Sequence, residues 1–152
     1  LVELQLTVAA NHPLDVPRLR KAVAESTGHS IQCRINAEDV FNDFQPSPGQ
    51  VSNIFWGQVP DGSSLRIDSH LKSNDKVSPY YDSMIAKIIV TSNTRPSAIS
   101  AMKEVLKTTR LVGPKTTIPL QLSILNQEEF VSGDCDTKYV ELQLQRLLQE
   151  AQ

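Results

Sequence analysis

Ile31-Gln32-Cys33-Arg34-Ile35-Asn36 alternates apolar and polar side chains without a break. Successive Cβ atoms of a strand leave the sheet on opposite sides, so a period of two marks a strand with one buried and one open face. Ile31, Cys33 and Ile35 are expected inward, and Gln32, Arg34 and Asn36 outward. The same reading extends through residues 30–90. Asp43 and then Pro46-Ser47-Pro48-Gly49 make a turn-rich stretch, and residues 51–56 read as a second strand. Pro60-Asp61-Gly62-Ser63-Ser64 is a strong turn signal. Leu65 and Ile67 then alternate with Arg66, Asp68 and His70 in a third strand. Ser73-Asn74-Asp75 turns again, and residues 84–90 are apolar except Lys87, as expected of a strand buried on both faces.

The flanks are helical. Before the first strand, residues 17–25 carry Pro17 in a first turn and Leu19 and Val23 inward, and Gly28 ends the helix. Earlier still, Val2, Leu6 and Ala9 form one face and Leu4 and Val8 a second, up to the break at Asn11-His12-Pro13. A short helix apolar on two sides belongs inside a larger body. After the strands, Thr94 caps a helix with Pro96 in its first turn and Ala98, Met102, Val105 and Leu106 as its stripe, stopped by Gly113-Pro114. Thr117 caps the next, with Ile118, Leu122 and Leu125 inward. Asp136 or Thr137 caps the last, with Val140, Leu144 and Leu147 inward. Strands first and helices last define an α+β fold, an antiparallel β-sheet core followed by packed helices.

The 152 residues suit one domain, with 39% hydrophobic and 21% charged residues and a net charge of −2. No basic stripe interleaved with aromatics points to nucleic acid. No apolar run is long enough for a transmembrane helix, and the start has no basic head or cleavage site. Cys33 and Cys135 fit no metal or redox motif, which favours a reduced, intracellular setting. His12, His29 and His70 have no ligand spacing, so no metal site is expected. The chain lacks an initiator Met and reads as a piece of a longer protein.

Chemistry-bearing residues are sparse. There is no glycine-rich phosphate loop, HExxH or GxSxG. Arg34 stands on the polar face of a rigid strand, where a guanidinium either holds an oxyanion bidentately or is merely solvated. Glu38 and Asp39 are adjacent carboxylates, which point apart and serve turns or caps rather than acid–base pairing. Tyr80-Tyr81-Asp82 precedes the buried strand and either builds a polar site at the sheet end or covers the core with its aromatics. Arg66, Asp68 and His70 share a face that is either solvent surface or a subunit contact.

The ordered blocks carry a closer likeness. Residues 28–39 (GHSIQCRINAED), 44–49 (FQPSPG), 66–70 (RIDSH), 77–87 (VSPYYDSMIAK), 113–119 (GPKTTIP) and 136–141 (DTKYVE) closely resemble the biotin carboxylase carboxy-terminal domain, in the family's order and over essentially the whole chain. The resemblance implies a fold of the rudiment single hybrid type over residues 28–150. Residues 1–27 would be a helical lead-in left over from a preceding ATP-grasp domain. It implies a fragment of an ATP-dependent ligase, using MgATP and bicarbonate to carboxylate biotin on a carrier protein or domain, and inactive alone because the lid, the Mg-binding glutamates, the bicarbonate-binding arginine and the catalytic base lie in the ATP-grasp half. Arg34 matches the family's arginine that stabilises the biotin enolate oxygen, and Thr137 a position bordering the adenine. Arg66 falls near the family's dimer interface. Tyr80, Tyr81 and Asp82 match a loop given a site-shaping role. Residues 57–64 depart from the glycine-rich, aromatic-containing loop of bacterial members, and residues 15–27 are longer than usual. The short polar stretch 36–48 favours the acetyl-CoA carboxylase type and fatty acid biosynthesis, in the cytoplasm, or in the mitochondrion for a eukaryotic acyl-CoA or pyruvate carboxylase. The alternative is a structural and dimerisation module that closes the ATP-grasp body without direct chemistry. A stand-alone binding protein would need no missing half.

Overall fold

The computed structural model describes residues 1–25 and 27–151. Two helices lead in, α1 (Val2–Ala9) and α2 (Val16–Ala24). The Arg18 amide donates to the Asp15 carboxylate at 3.1 Å, which caps α2, and Pro17 lies in the first turn where a missing N–H costs nothing. Neither helix has a buried residue. Leu4 and Thr7 of α1 face Leu19 and Ala22 of α2 across a shallow cleft. Val23, expected inward, lies beyond the edge of that contact and is 74% exposed.

The strands come next: β1 (His29–Asn36), β2 (Glu38–Asp39), β3 (Gln45–Pro46), β4 (Gly49–Gln50), β5 (Asn53–Phe55), β6 (Ser63–Ser69), β7 (Lys76–Val77) and β8 (Met84–Ser92). The main sheet is antiparallel with order β1-β8-β6, and β2-β3 and β4-β7 are short two-stranded ladders. Ile31, Cys33 and Ile35 are buried while Gln32 and Arg34 are exposed, as their alternation requires. Residues 51–56 give a shorter strand than expected, Asn53–Phe55. The expectation that β8 is buried on both faces also needs correcting. Ile85, Ala86, Ile88 and Val90 are buried, but Lys87 and Ile89 are only half-covered.

The reason is that one face alone receives the helix α3 (Arg95–Thr108). Ala98, Met102, Val105 and Leu106 of α3 are buried against Ile35, Ile88 and Val90. Each such large side chain contributes about 1.5–3 kcal/mol of transfer free energy. Thr94 and Ser97 form a reciprocal capping box: the Ser97 amide donates to Thr94 Oγ1 at 3.3 Å and the Thr94 amide to Ser97 Oγ at 3.1 Å. Such a cap stabilises by about 1 kcal/mol. The helix stops at Thr108, well before Gly113-Pro114, and the chain forms β9 (Arg110–Val112), which pairs with β5. Leu111 and Ile54, opposite each other in that ladder, both pack on the core.

Gly113 comes directly after β9 with a φ of +136°, and a Cβ there would collide with the Gln50 carbonyl. The chain then enters α4 (Ile118–Asn126), α5 (Glu128–Ser132) and α6 (Tyr139–Glu150). In α4 Leu120 and Leu125 are fully buried and Ile118 and Leu122 partly, because the helix packs on α3 on one side and α6 on the other. Val40, Leu120 and Leu147 make a second small core. α5 is absent from the periodic pattern; it is one short turn closed by Gly133 in the left-handed region. Thr117 is at the N-terminal boundary of α4, but its hydroxyl accepts from the Asn36 amide at 3.1 Å rather than from its own helix. Neither Asp136 nor Thr137 is the N-cap of α6. Lys138 is, and Asp136 accepts from the Lys138 amide at 2.9 Å just outside the helix.

One irregularity bears on the site. Ile35 pairs with Ala86 but Asn36 pairs with Met84, so Ile85 is an extra residue, a β-bulge near the start of β8. Ile85 and Ala86 are consecutive and both buried.

Candidate functional site

The uncovered face of the sheet carries the polar residues. Arg34, Lys87 and Asp68 are cross-strand neighbours in one row, and Gln32, Ile89 and Arg66 in the next. Directly opposed residues of an antiparallel pair project to the same side. Arg34 therefore stands beside a second cation, a repulsive pairing unless something negative meets it. Among the described residues, the Lys87 ammonium has no ion-pair partner; Asp68 accepts instead from Arg66 Nε at 2.9 Å.

Arg34 is half-exposed, at 51% of its side chain, and its guanidinium is tethered at one nitrogen. Nη2 donates to Asp82 Oδ1 at 2.9 Å and to Oδ2 at 3.1 Å. Nη1 and Nε have no partner among the described residues. The backbone beneath is fixed by α4, because Gln121 Nε2 donates to the Arg34 carbonyl at 2.5 Å. Beside Arg34 a cleft of about 290 Å³ runs between β1 and the α4–α5 region, lined by Gln32, Gln121, Ile124 and Phe130 among others. A second depression, about 540 Å³ and wide open, includes Asp68, His70, Met84 and Lys87.

Asp82 is held from two sides. The Met84 amide donates to Oδ1 at 2.7 Å, and this bond, together with the weaker effect of Arg34, holds the carboxyl below the usual aspartate range. A depressed folded-state pKa means the ion pair is intact above the ordinary aspartate range and is lost as pH falls through the lowered value. In an NMR titration the Asp82 carboxyl carbon should therefore titrate below an aspartate in an unstructured reference peptide. Coincident midpoints would show that the Met84 amide and Arg34 do not hold this carboxylate in solution.

Tyr80 and Tyr81 are 89% and 84% exposed. Their rings cover no part of the core, so of the two readings of this loop the aromatic lid on the core is excluded. Glu38 and Asp39 point apart as expected. Glu38 Oε1 accepts from Asn36 Nδ2 at 3.0 Å and from Ser83 Oγ, whereas Asp39 accepts from the Phe41 amide at 3.3 Å and from Lys115 Nζ. Thr137 is exposed in the α5–α6 connection and lines neither cleft beside Arg34. Arg66 is exposed on β6, one row from Arg34, and bonded within its own strand to Asp68. The structure thus unites Arg34 with Asp82 and leaves Thr137 out of the lining of both clefts. Sequence reasoning missed Lys87 and Ser83 as site residues; the lone charge in an otherwise apolar run was the signal for Lys87. Among the described residues no group of three or more His, Cys, Asp or Glu could hold a metal ion, and no helix is long and apolar enough to cross a membrane. Cys33 is buried, which pushes its thiol up to about 12, and Cys135 is exposed; both are free.

Comparison with known proteins agrees with this geometry. An antiparallel sheet with one helical cover and a charged open face defines an α+β domain of the two-layer kind. Residues 32–142 match the family model described as biotin carboxylase C-terminal domain, and the chain belongs to that family. Biotin carboxylase 1 of Bacillus subtilis is 40% identical over 141 residues, which cover 93% of this chain and 30% of that protein. The biotin carboxylase subunit of a pyruvate carboxylase superposes with a TM-score of 0.78 at 34% identity, over 96% of this chain and 31% of that one. The biotin carboxylase domain dimer of Hydrogenobacter thermophilus 2-oxoglutarate carboxylase, in complex with MgADP, ADP and bicarbonate, gives 0.72 at 37% identity, over 80% of this chain and 26% of that one. The chain spans under a third of the length of these relatives.

Proposed function

We propose that this domain forms one wall of a biotin carboxylase active site and supplies Arg34 to it, the chemistry being ATP- and bicarbonate-dependent carboxylation of biotin held on a carrier protein or domain. The observation that carries this reading is the half-tethered guanidinium. Asp82 occupies Nη2 and leaves Nη1 and Nε as donors toward the open face. That donor set fits the planar ureido group of biotin, which offers one oxygen acceptor in plane. A guanidinium keeps its protons at working pH, so Arg34 stabilises negative charge on the ureido oxygen without giving up a proton. Asp82 orients Arg34, and Tyr80 and Tyr81 shape the rim from their exposed loop.

The nucleotide is a different matter. Thr137 alone on an exposed connection does not build a pocket for ATP or Mg. We assign both, with bicarbonate, to an ATP-grasp part of the same polypeptide, Thr137 bordering the adenine. Residues 1–27 are the lead-in from that part; the exposure of Val2, Leu6 and Val8 on α1 supports a covering body there. We assign Arg66 to a homodimer contact, a reading its exposed guanidinium supports. Acetyl-CoA is the acceptor carried forward, with fatty acid synthesis in the cytoplasm, on the strength of the compact 36–48 connection; pyruvate and 2-oxoglutarate are the competitors its relatives name.

The test compares this chain with the longer protein bearing an ATP-grasp half. Labelled bicarbonate should enter biotin only with the longer protein and ATP, and not with residues 1–152 alone. Failure of the longer protein to carboxylate biotin would sink the proposal.

A further inference from the structure

We infer that Glu38 is a positioning residue for Arg34, acting through Ser83 and Asp82; the inference rests on the reading that Arg34 serves biotin. Arg34 is aimed by Asp82, so Asp82 itself must be aimed. Its aromatic neighbours do not hold it, since Tyr80 and Tyr81 are almost fully exposed. Ser83 and Met84, on its other side, do. Ser83 is gripped twice: its hydroxyl donates to Glu38 Oε1, and its carbonyl accepts from the Ala37 amide at 2.8 Å. The next residue, Met84, donates its amide to Asp82 Oδ1 at 2.7 Å. Asp82 is therefore folded back over a clamped serine, with its carboxylate turned to Arg34.

Glu38 is suited to be the fixed end of this chain. It is half-buried on β2, whose partner strand is β3. A single oxygen, Oε1, accepts both from Ser83 Oγ and from Asn36 Nδ2, the latter at 3.0 Å. Asn36 in turn is tied to α4, its amide donating to Thr117 Oγ1 and its carbonyl accepting from the Thr117 amide at 3.1 Å each. Glu38 thus joins the end of β1 and the start of β8 at one acceptor, and Asn36 carries the link on to the α4 N-terminus. Oε2 takes no part among the described residues, so the role asks for an acceptor oxygen and not for a negative charge.

The experiment uses the full-length protein with three substitutions, Glu38→Ala, Glu38→Gln and Arg34→Ala. Two rates are read: carboxylation of free biotin, and bicarbonate-dependent ATP cleavage without biotin. Glu38→Ala should lower kcat/KM for biotin by about 10- to 100-fold, the usual consequence of a misplaced catalytic group. ATP cleavage should stay unchanged. Glu38→Gln should restore the biotin step, because its amide oxygen still accepts both bonds. An alanine variant with normal biotin kinetics, equal losses in both rates, or a glutamine variant as impaired as alanine would each overturn the inference. If Glu38→Ala does not fold, Ser83→Ala removes one arm of the clamp and must show the same split. An Arg34→Ala protein with undiminished biotin carboxylation would instead sink the underlying reading of Arg34.

Discussion

Arg34→Ala in the full-length protein should lower biotin carboxylation by about 10²–10³-fold, the usual loss on removing a charge-stabilising donor from a reaction centre. The melting temperature should scarcely move. Arg34 is half-exposed and its ion pair with Asp82 is open to solvent, where such pairs contribute little. Arg34→Lys should not rescue the rate. An ammonium is a compact charge without the planar fork, and it cannot bond Asp82 through one nitrogen while presenting others in plane. Incorporation of labelled bicarbonate into biotin measures the effect. A rate within a factor of about two of the unmodified protein would remove Arg34 from the chemistry and leave the structural and dimerisation module as the better account.

Gly113→Ala should have the largest effect on stability. The residue has a φ of +136°, and the added Cβ would meet the Gln50 carbonyl, a backbone atom that cannot swing away. Strain in that region costs about 1–3 kcal/mol, and overpacking adds a similar amount. A total of about 2–6 kcal/mol lowers the melting temperature of a chain this size by about 4–24 °C. Gly113 adjoins β9, so the loss should fall on the β5–β9 ladder first. Thermal denaturation of the chain decides it; a shift under about 1 °C would mean that the backbone yields without penalty.

These two residues differ in how far the amino-acid sequence discloses them. Arg34 was legible, because Ile31, Cys33 and Ile35 set a period of two that forces it outward. The capping position at Thr94 and the stripe of α3 were legible for the same reason, since caps and periodicity are local. Asp82 as the partner of Arg34 was not. The two are far apart in the chain, and their meeting depends on a register that no short window reveals. The strand β9 was missed because three residues are too few to show a period, and its pairing with β5 is non-local. Val23 was misjudged because α2 has the pattern of a packed helix but, among the described residues, only α1 beside it to pack against. The special demand on Gly113 could be read only as a stop signal, since its conflict is with Gln50 on another strand.

The extra residue in β8 sets the parity of the residues before it. From Ala86 to Ser92 the even-numbered side chains Ala86, Ile88, Val90 and Ser92 point to the α3 side. Continued without interruption, that count would send Met84 to the same side, away from the face that carries Arg34. Ile85 takes up one step of the alternation, so Met84 lies opposite Asn36 and the even numbers change sides. One inserted residue thereby turns the Met84 side chain, next but one to Asp82, to the arginine's half of the sheet. Loss of a single residue at this point would leave the composition of the strand almost untouched and return the first side chain of β8 to the helix-covered side.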